Sequence, residues 1–183
     1  MREMIGEYRR RVAHTDDIGK ELDEMPYGLY IIGSRPADEV NGMMADWVMQ
    51  VSFAPRLIAV AIENDARTLM NIRASPVFTV NLLAEDGMAL ATKFAQPYYG
   101  SKVRGRVPPA ATEIHHKLEG VSYRPGETGC PILTDALAWL ECQVETMVAM
   151  GDHTLVVGRI LDGAVARDAE PLTTNVTGWP YSG

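Results

Sequence analysis

The chain reads as a mainly β domain, a barrel or a sandwich with a few short helices. Three observations carry that reading. Residues 137–161 alternate apolar and polar positions on either side of Gly151-Asp152, the pattern of an antiparallel hairpin with one polar face. Residues 43–53 and 57–62 are two more apolar runs, separated by a turn at Pro55. Helical periodicity after residue 25 is confined to two short segments, 66–73 and 87–94.

The elements follow in order. Residues 1–25 are charged, with Ile5, Tyr8 and Val12 and then Ile18, Leu22 and Met25 at helical spacing. They form a helical extension in which Thr15 or Asp16 caps a second helix and Pro26 ends it. The β domain occupies 26–183. Gly28–Ser34 is a first strand, and a turn follows around Pro36. Residues 43–53 form a strand rich in Met, Ala and Trp. Leu57–Ile62 is a strand apolar on both faces. Residues 66–73 form a helix stopped by Ser75-Pro76, and Val77–Leu83 is the next strand. The helix at 87–94 turns Met88, Ala91 and Ala95 toward the core. Residues 96–130 are irregular and rich in Pro and Gly, with one short strand near Ile114–Leu118. An excursion of this length docks on a partner subunit or covers a site.

Composition narrows the function. The 183 residues are 46% hydrophobic, which suits one domain with a real core. No run of about 18 apolar residues suggests a membrane helix, and the N-terminus lacks a secretory apolar core, so a cytoplasmic protein is expected. A net charge of −7 and a pI near 5.1 disfavour general nucleic-acid binding. Arg9-Arg10-Arg11 reads as a solvated helix face. Cys142 fits a buried strand position and Cys130 a turn, and no CxxC is present. His14, His115 and His116 have no metal-ligand spacing. GxGxxG, GxxxxGK[ST] and GxSxG are all missing, which disfavours Rossmann, P-loop and nucleophile-elbow chemistry.

Three places offer chemistry. Glu63–Thr68 (ENDART) opens a helix, where main-chain N–H groups and the dipole favour an anion. Asn64 or Asp65 can cap it, Arg67 can grip a phosphate and Thr68 adds a hydroxyl. The same residues also read as a plain capped helix. In the 43–53 strand, bulged backbone N–H groups can bond the polar edge of a flat ring, and the small Ala45 allows close approach. Trp47 and the methionines also read as core. His153 follows Gly151-Asp152 at a hairpin tip, where it is solvated or faces an anionic ligand, and Asp152 would favour its charged form.

The ordered segments GLYIIGSR, NGMMADWVMQVSFAP, RLIAVAIENDART, FTVNLL, KFA, CPILTDALAWLECQVETMVAMGDHTLVVGRI and TGWPYSG go further. Together they resemble the flavin reductase-like FMN-binding family, nearest the branch found as the flavin reductase module of diflavin flavoproteins. The resemblance implies a six-stranded antiparallel Greek-key split β-barrel. It also implies a homodimer with FMN near the interface, and hydride transfer from NADH or NADPH to FMN. Electrons then pass to a flavin, a ferric complex, oxygen or a protein. By the same resemblance Met44, Ala45, Asp46, Trp47 and Ser52 line the flavin ring. Asn64, Arg67 and Thr68 hold its phosphate, Lys93 and Phe94 sit at its rim, and His153 stands near the flavin and the nicotinamide. Two departures from the family pattern stand out. Asp46 occupies a position where Ser is common, and Ala54-Pro55-Arg56 replaces an acidic residue and two prolines. The alternatives are an FMN electron carrier without NAD(P)H activity, or a split barrel holding haem or another cofactor.

Overall fold

The computed structural model describes residues 21–22, 24–36, 39–96 and 116–177. The described elements are β1 (Tyr30–Ser34), β2 (Asn41–Ala45), β3 (Val48–Ser52), β4 (Leu57–Glu63), α1 (Arg67–Ala74), β5 (Val77–Leu83), α2 (Met88–Phe94), β6 (Tyr123–Pro125), β7 (Pro131–Leu133), β8 (Ala136–Met150), β9 (His153–Val165) and α3 (Thr174–Thr177). Seven strands form one antiparallel sheet in the order β2-β1-β5-β8-β9-β4-β3, and β6 pairs with β7. The sheet rolls into a split barrel, and its strand count exceeds the expected six.

The two outermost strands of this order, β2 and β3, are neighbours in sequence. The expected single strand over 43–53 is in fact two strands, broken at Asp46-Trp47. β2 pairs with β1, while β3 pairs with β4. The break is held by main-chain bonds: Val48 N–H donates to the Asp46 carbonyl at 2.9 Å, and Ala61 N–H to the Trp47 carbonyl at 3.0 Å. A bulge follows between Gln50 and Ser52.

Inside the barrel, Ile32 of β1, Ala45 of β2, Ile58, Val60 and Ile62 of β4, Phe78 and Val80 of β5, Cys142 of β8 and Val156 of β9 form one apolar cluster with Leu69 and Ile72 of α1. Residues from both halves of the sheet meet there, so closing the barrel is what buries them. Gly158 makes room for Phe78, since a Cβ on that glycine would lie 2.5 Å from the ring. A second cluster fills the opposite face of β1 and β5, where Leu29, Ile31 and Leu83 pack under Ala91 and Phe94 of α2 and Leu133 of β7. Two-sided burial explains why β1 reads YIIGS with no polar alternation. In α2 it is Phe94, not the expected Ala95, that enters the core, and Ala95 is exposed.

The hairpin is longer than 137–161, running from Ala136 to Val165 through the Gly151-Asp152 turn, with Gly151 at φ 59°. Where a strand is expected near Ile114–Leu118, Lys117–Gly120 make a turn, and Ile114 and His115 lie outside the described residues. Glu21 and Leu22 are helical. The rest of the expected N-terminal helical segment, up to Lys20, lies outside the described residues, as does the end of TGWPYSG.

Two lysines clamp α2 to the turn that follows. Lys93 Nζ donates to the Glu119 carbonyl, and Lys117 Nζ donates to the Phe94 carbonyl at 3.1 Å. Lys117 is only 7% exposed, and burial pushes its ammonium down from 10.5 to about 8. Between those two values the unfolded chain holds more protons on Lys117 than the folded one, so the Lys117 contribution to folding stability rises with pH across that window. Above pH 9 the two raised thiols, Cys130 and Cys142, act in the opposite sense. The expected gain is about 3 kcal/mol over the whole window. Urea unfolding at neutral and alkaline pH checks this. Lys117→Met should make the pH slope less positive than that of wild type by this contribution, and an identical slope in that variant would refute the assignment.

Candidate functional site

The break between β2 and β3 and the tip of the β8–β9 hairpin come together at one corner of the barrel. Trp47 and His153 stack there with ring centroids 5.0 Å apart and planes tilted by 41°. In β9 the half-buried His153, Leu155 and Val157 alternate with the buried Thr154, Val156 and Gly158, so His153 stands on the outer face of the sheet. His153 Nδ1 lies 2.7 Å from Asp152 Oδ1. That contact draws the Asp152 carboxyl below its ordinary range. With Nδ1 engaged, Nε2 is the nitrogen left for a ligand.

Asp46 joins the same corner. Burial pushes its carboxyl up from the ordinary value, while the main-chain N–H groups of Asp46 and Trp47 and the nearby His153 oppose that rise. Met44 packs against the second core cluster and Ala45 belongs to the first. Their side chains are committed to the interior, which leaves main-chain groups to meet a ligand at this edge. Ser52 is not brought into the cluster. It ends β3, about 13 Å along the strand from its start.

Beyond β4 the polar turn has a different job from the one expected. The first residue outside α1 is Ala66, and no side chain caps the helix. Asn64 faces the hairpin tip instead. Its Nδ2 donates to the Gly151 carbonyl at 3.1 Å and its Oδ1 accepts from the Thr154 hydroxyl at 2.7 Å, while its main-chain N–H donates to the Asp152 carbonyl at 2.9 Å. Asn64 therefore ties β4 to the β8–β9 turn. Thr154 escapes a reading of the sequence, although a buried Thr beside a turn histidine is a usable signal of such a tie.

Thr68 lies in the first turn of α1 and is 2% exposed. Among the described residues, neither its main-chain N–H nor its hydroxyl has a hydrogen-bond partner. Each buried donor left unpaired costs about 1–3 kcal/mol. An anion at the uncapped helix start would satisfy both, with Arg67 beside it. This is the observation that fits the site to a phosphate-bearing cofactor. A cavity of about 430 Å³ opens alongside, lined by Glu63, Asn64, Asp65 and Asp152. Its three carboxylates make that wall unfit for a phosphate, so the helix start is the better seat.

Lys93 and Phe94 are drawn into structure. The Lys93 ammonium bonds the Glu119 carbonyl, and Phe94 is 1% exposed, in contact with the space above Gly42 of β2. Cys130 and Cys142 are buried free thiols pushed up to about 11 and about 12, chiefly by burial, which makes them unreactive near neutral pH. Among the described residues no group of acidic, His and Cys side chains suits a metal ion, and no helix is long and apolar enough to cross a membrane.

Comparison with known proteins agrees with this architecture. Residues 22–177 match the model of the flavin reductase like domain. A putative diflavin flavoprotein A 3 of Nostoc sp. is 33% identical over 157 residues, covering 86% of this chain and 25% of its own length. High molecular weight rubredoxin of Moorella thermoacetica is 33% identical over 156 residues, covering 84% of this chain and 62% of the relative. The chain thus spans about a quarter of the diflavin relative's length. Among solved structures, flavin reductase PheA2 in its native state superposes with a TM-score of 0.69 at 29% identity, covering 86% of this chain and 92% of PheA2. With a match over most of its length, the chain belongs to the flavin reductase like domain family.

Proposed function

We propose that the protein is an FMN-binding flavin reductase fed by NADH or NADPH. Bound FMN would supply hydride acceptance and onward electron transfer to a flavin, a ferric complex or a protein acceptor. The single observation that carries the reading is the pairing of two features at one barrel corner. One is the uncapped α1 start with its buried, unpartnered Thr68. The other is the half-buried Trp47–His153 stack at the β2–β3 break.

In this reading Arg67, Thr68 and the α1 N-terminus hold the phosphate. Main-chain groups of Met44–Trp47 line the ring edge. His153, fixed through Nδ1 by Asp152, presents Nε2 to the ring or the nicotinamide. Asn64 acts at one remove, by fixing the hairpin tip that carries His153. Lys93 and Phe94 act at one remove too, through the fold around β2 and α2.

The outer face that carries His153 supports the homodimer expectation. Met49 of β3 is 62% exposed, and Val148 and Met150 of β8 are exposed beside Leu155 and Val157. The register aligns Met49 with Ala59, Ala59 with Val157 and Leu155 with Val148, which places these apolar groups on one surface. A second copy laid on it would cover the site. A second reading, an FMN electron carrier fed by another protein module, is favoured by the similarity to the rubredoxin and diflavin proteins, since this chain matches only part of each.

Anaerobic titration of the FMN-loaded protein with NADH and then NADPH separates the two. Bleaching of the flavin absorbance by either nucleotide supports the reductase, whereas bleaching by dithionite alone supports the carrier. Arg67→Ala should weaken FMN binding by about tenfold or more, the scale of a lost charge-assisted contact. Unchanged affinity would remove Arg67 from the seat. Asn64→Ala should instead lower stability by about 1–3 kcal/mol, because it leaves the buried Thr154 hydroxyl unpaired. Full stability with lost FMN affinity would make Asn64 a direct ligand. His153→Ala should slow flavin reduction in stopped-flow while FMN binding persists, and unchanged kinetics would rule out its role.

A further inference from the structure

The Asp46 carboxylate stands where few carboxylates are comfortable. It belongs to the two-residue break between β2 and β3, beside Trp47 of the Trp47–His153 stack, its side chain is half-buried, and it interacts electrostatically with His153. The His153 imidazole of that cluster is already held at 2.7 Å by Asp152. Asp46 and Asp152 therefore place two carboxyl groups beside one imidazole. Glu63, paired in register with His153, and Asp65 line the cavity alongside the α1 start. The positive elements, Arg67 and the start of α1, lie at the phosphate end. Asp46 and Asp152 thus put carboxyl groups at the Trp47–His153 corner, where a ring would sit.

A carboxylate at that corner acts differently on the two redox states of a flavin. The oxidised ring is neutral, and the two-electron-reduced ring is predominantly an anion at neutral pH. An enzyme group that interacts unequally with two states shifts the equilibrium between them by that difference.

The geometry points to Asp46 as the residue that weakens the hold on reduced flavin relative to oxidised flavin, so that the reduced form is released to a diffusing acceptor. This rests on the flavin-binding reading above. Asp46 is a positioning charge in this role, since no bond is made or broken at its carboxylate.

The test measures dissociation constants of oxidised FMN and of dithionite-reduced FMN under anaerobic conditions, by quenching of protein fluorescence, at mildly alkaline pH. Wild type, Asp46→Asn and Asp46→Glu are compared, with thermal melts as a folding check and Asp46→Ser as a second neutral variant. Removing one charge beside an anion in a partly buried site is worth about a factor of ten. Asp46→Asn and Asp46→Ser should therefore tighten reduced FMN by about tenfold, with oxidised FMN changed by no more than about twofold. Asp46→Glu should keep the wild-type ratio. If both constants move together, or neither moves, Asp46 does not discriminate redox states and the inference is overturned while the flavin site stands. If wild type binds neither form, the flavin reading fails and the inference falls with it.

Discussion

Closure of the barrel depends on the break at Asp46-Trp47. A continuous strand from Asn41 to Ser52 would keep pairing along one edge of the sheet and leave the other edge, at β4, open. Interrupting it after Ala45 sends the chain across the split, so that one segment supplies the last strand on each side. Main-chain bonds from Val48 to the Asp46 carbonyl and from Ala61 to the Trp47 carbonyl give the two broken residues the partners that a strand would otherwise provide. The apolar interior, from Ile32 to Val156, is dry only because this crossing is made. The same crossing exposes main-chain edges and two side chains, Asp46 and Trp47, at a fixed corner, which is where a ligand can be met by a rigid surface.

Polar groups in the interior fix the rest of the frame. Asn81, wholly buried on β5, donates to the Ile31 carbonyl at 3.0 Å and accepts from Leu133 N–H at 2.8 Å, and the Thr79 hydroxyl donates to the Pro131 carbonyl at 2.7 Å. These bonds pin β7 across β1 and β5 in one register, and an apolar residue at either position would leave the buried carbonyls and the Leu133 N–H unpaired. Glu141 serves the loop between β6 and β7 in the same way. It accepts from the Glu127 and Thr128 N–H groups and the Thr128 hydroxyl at 3.1, 3.0 and 2.7 Å. Burial raises its carboxyl, but these three donors outweigh that and hold it below the ordinary range. The loop is thereby fastened to β8, the central strand that also leads to the hairpin tip.

How much of this was legible follows from what sequence patterns encode. The β8–β9 hairpin was plain because one face is polar over most of its length, and Leu57–Ile62 was plain because no helix alternates so little in a short, β-branched run. The break at Asp46 was not legible. MMADWVMQV is nearly continuous in hydrophobicity, and a single Asp signals a break no more strongly than it signals a polar edge position. The cap at Asn64 failed for a related reason. Asn before a helix suits an N-cap and equally suits a cross-link to a turn, and the deciding partner, Thr154, is 90 residues away. Local chemistry cannot choose between those, whereas packing can. Of the site residues expected from the family resemblance, Asp46, Trp47 and His153 converge in space. Phe94 turns into the core because α2 needs a large residue against the gap left by Gly42.

The tie at Asn64 links fold to chemistry in a way that neither alone suggests. A hairpin tip is ordinarily the loosest part of a β structure, since its backbone bonds face solvent. His153 stands one residue past such a tip, and a ligand-facing imidazole that wandered with it would be a poor guide for any ring. The tip is anchored instead from β4 by three hydrogen bonds of one residue, Asn64, and from its own turn by Asp152. The strand that Asn64 directly follows, β4, is the one against which β3 pairs, so the far side of the same corner is set by the same strand. Trp47 and His153 are therefore positioned by β4 from both directions. Their 5.0 Å stack is a consequence of that shared support, and its geometry is fixed by the fold before any ligand arrives.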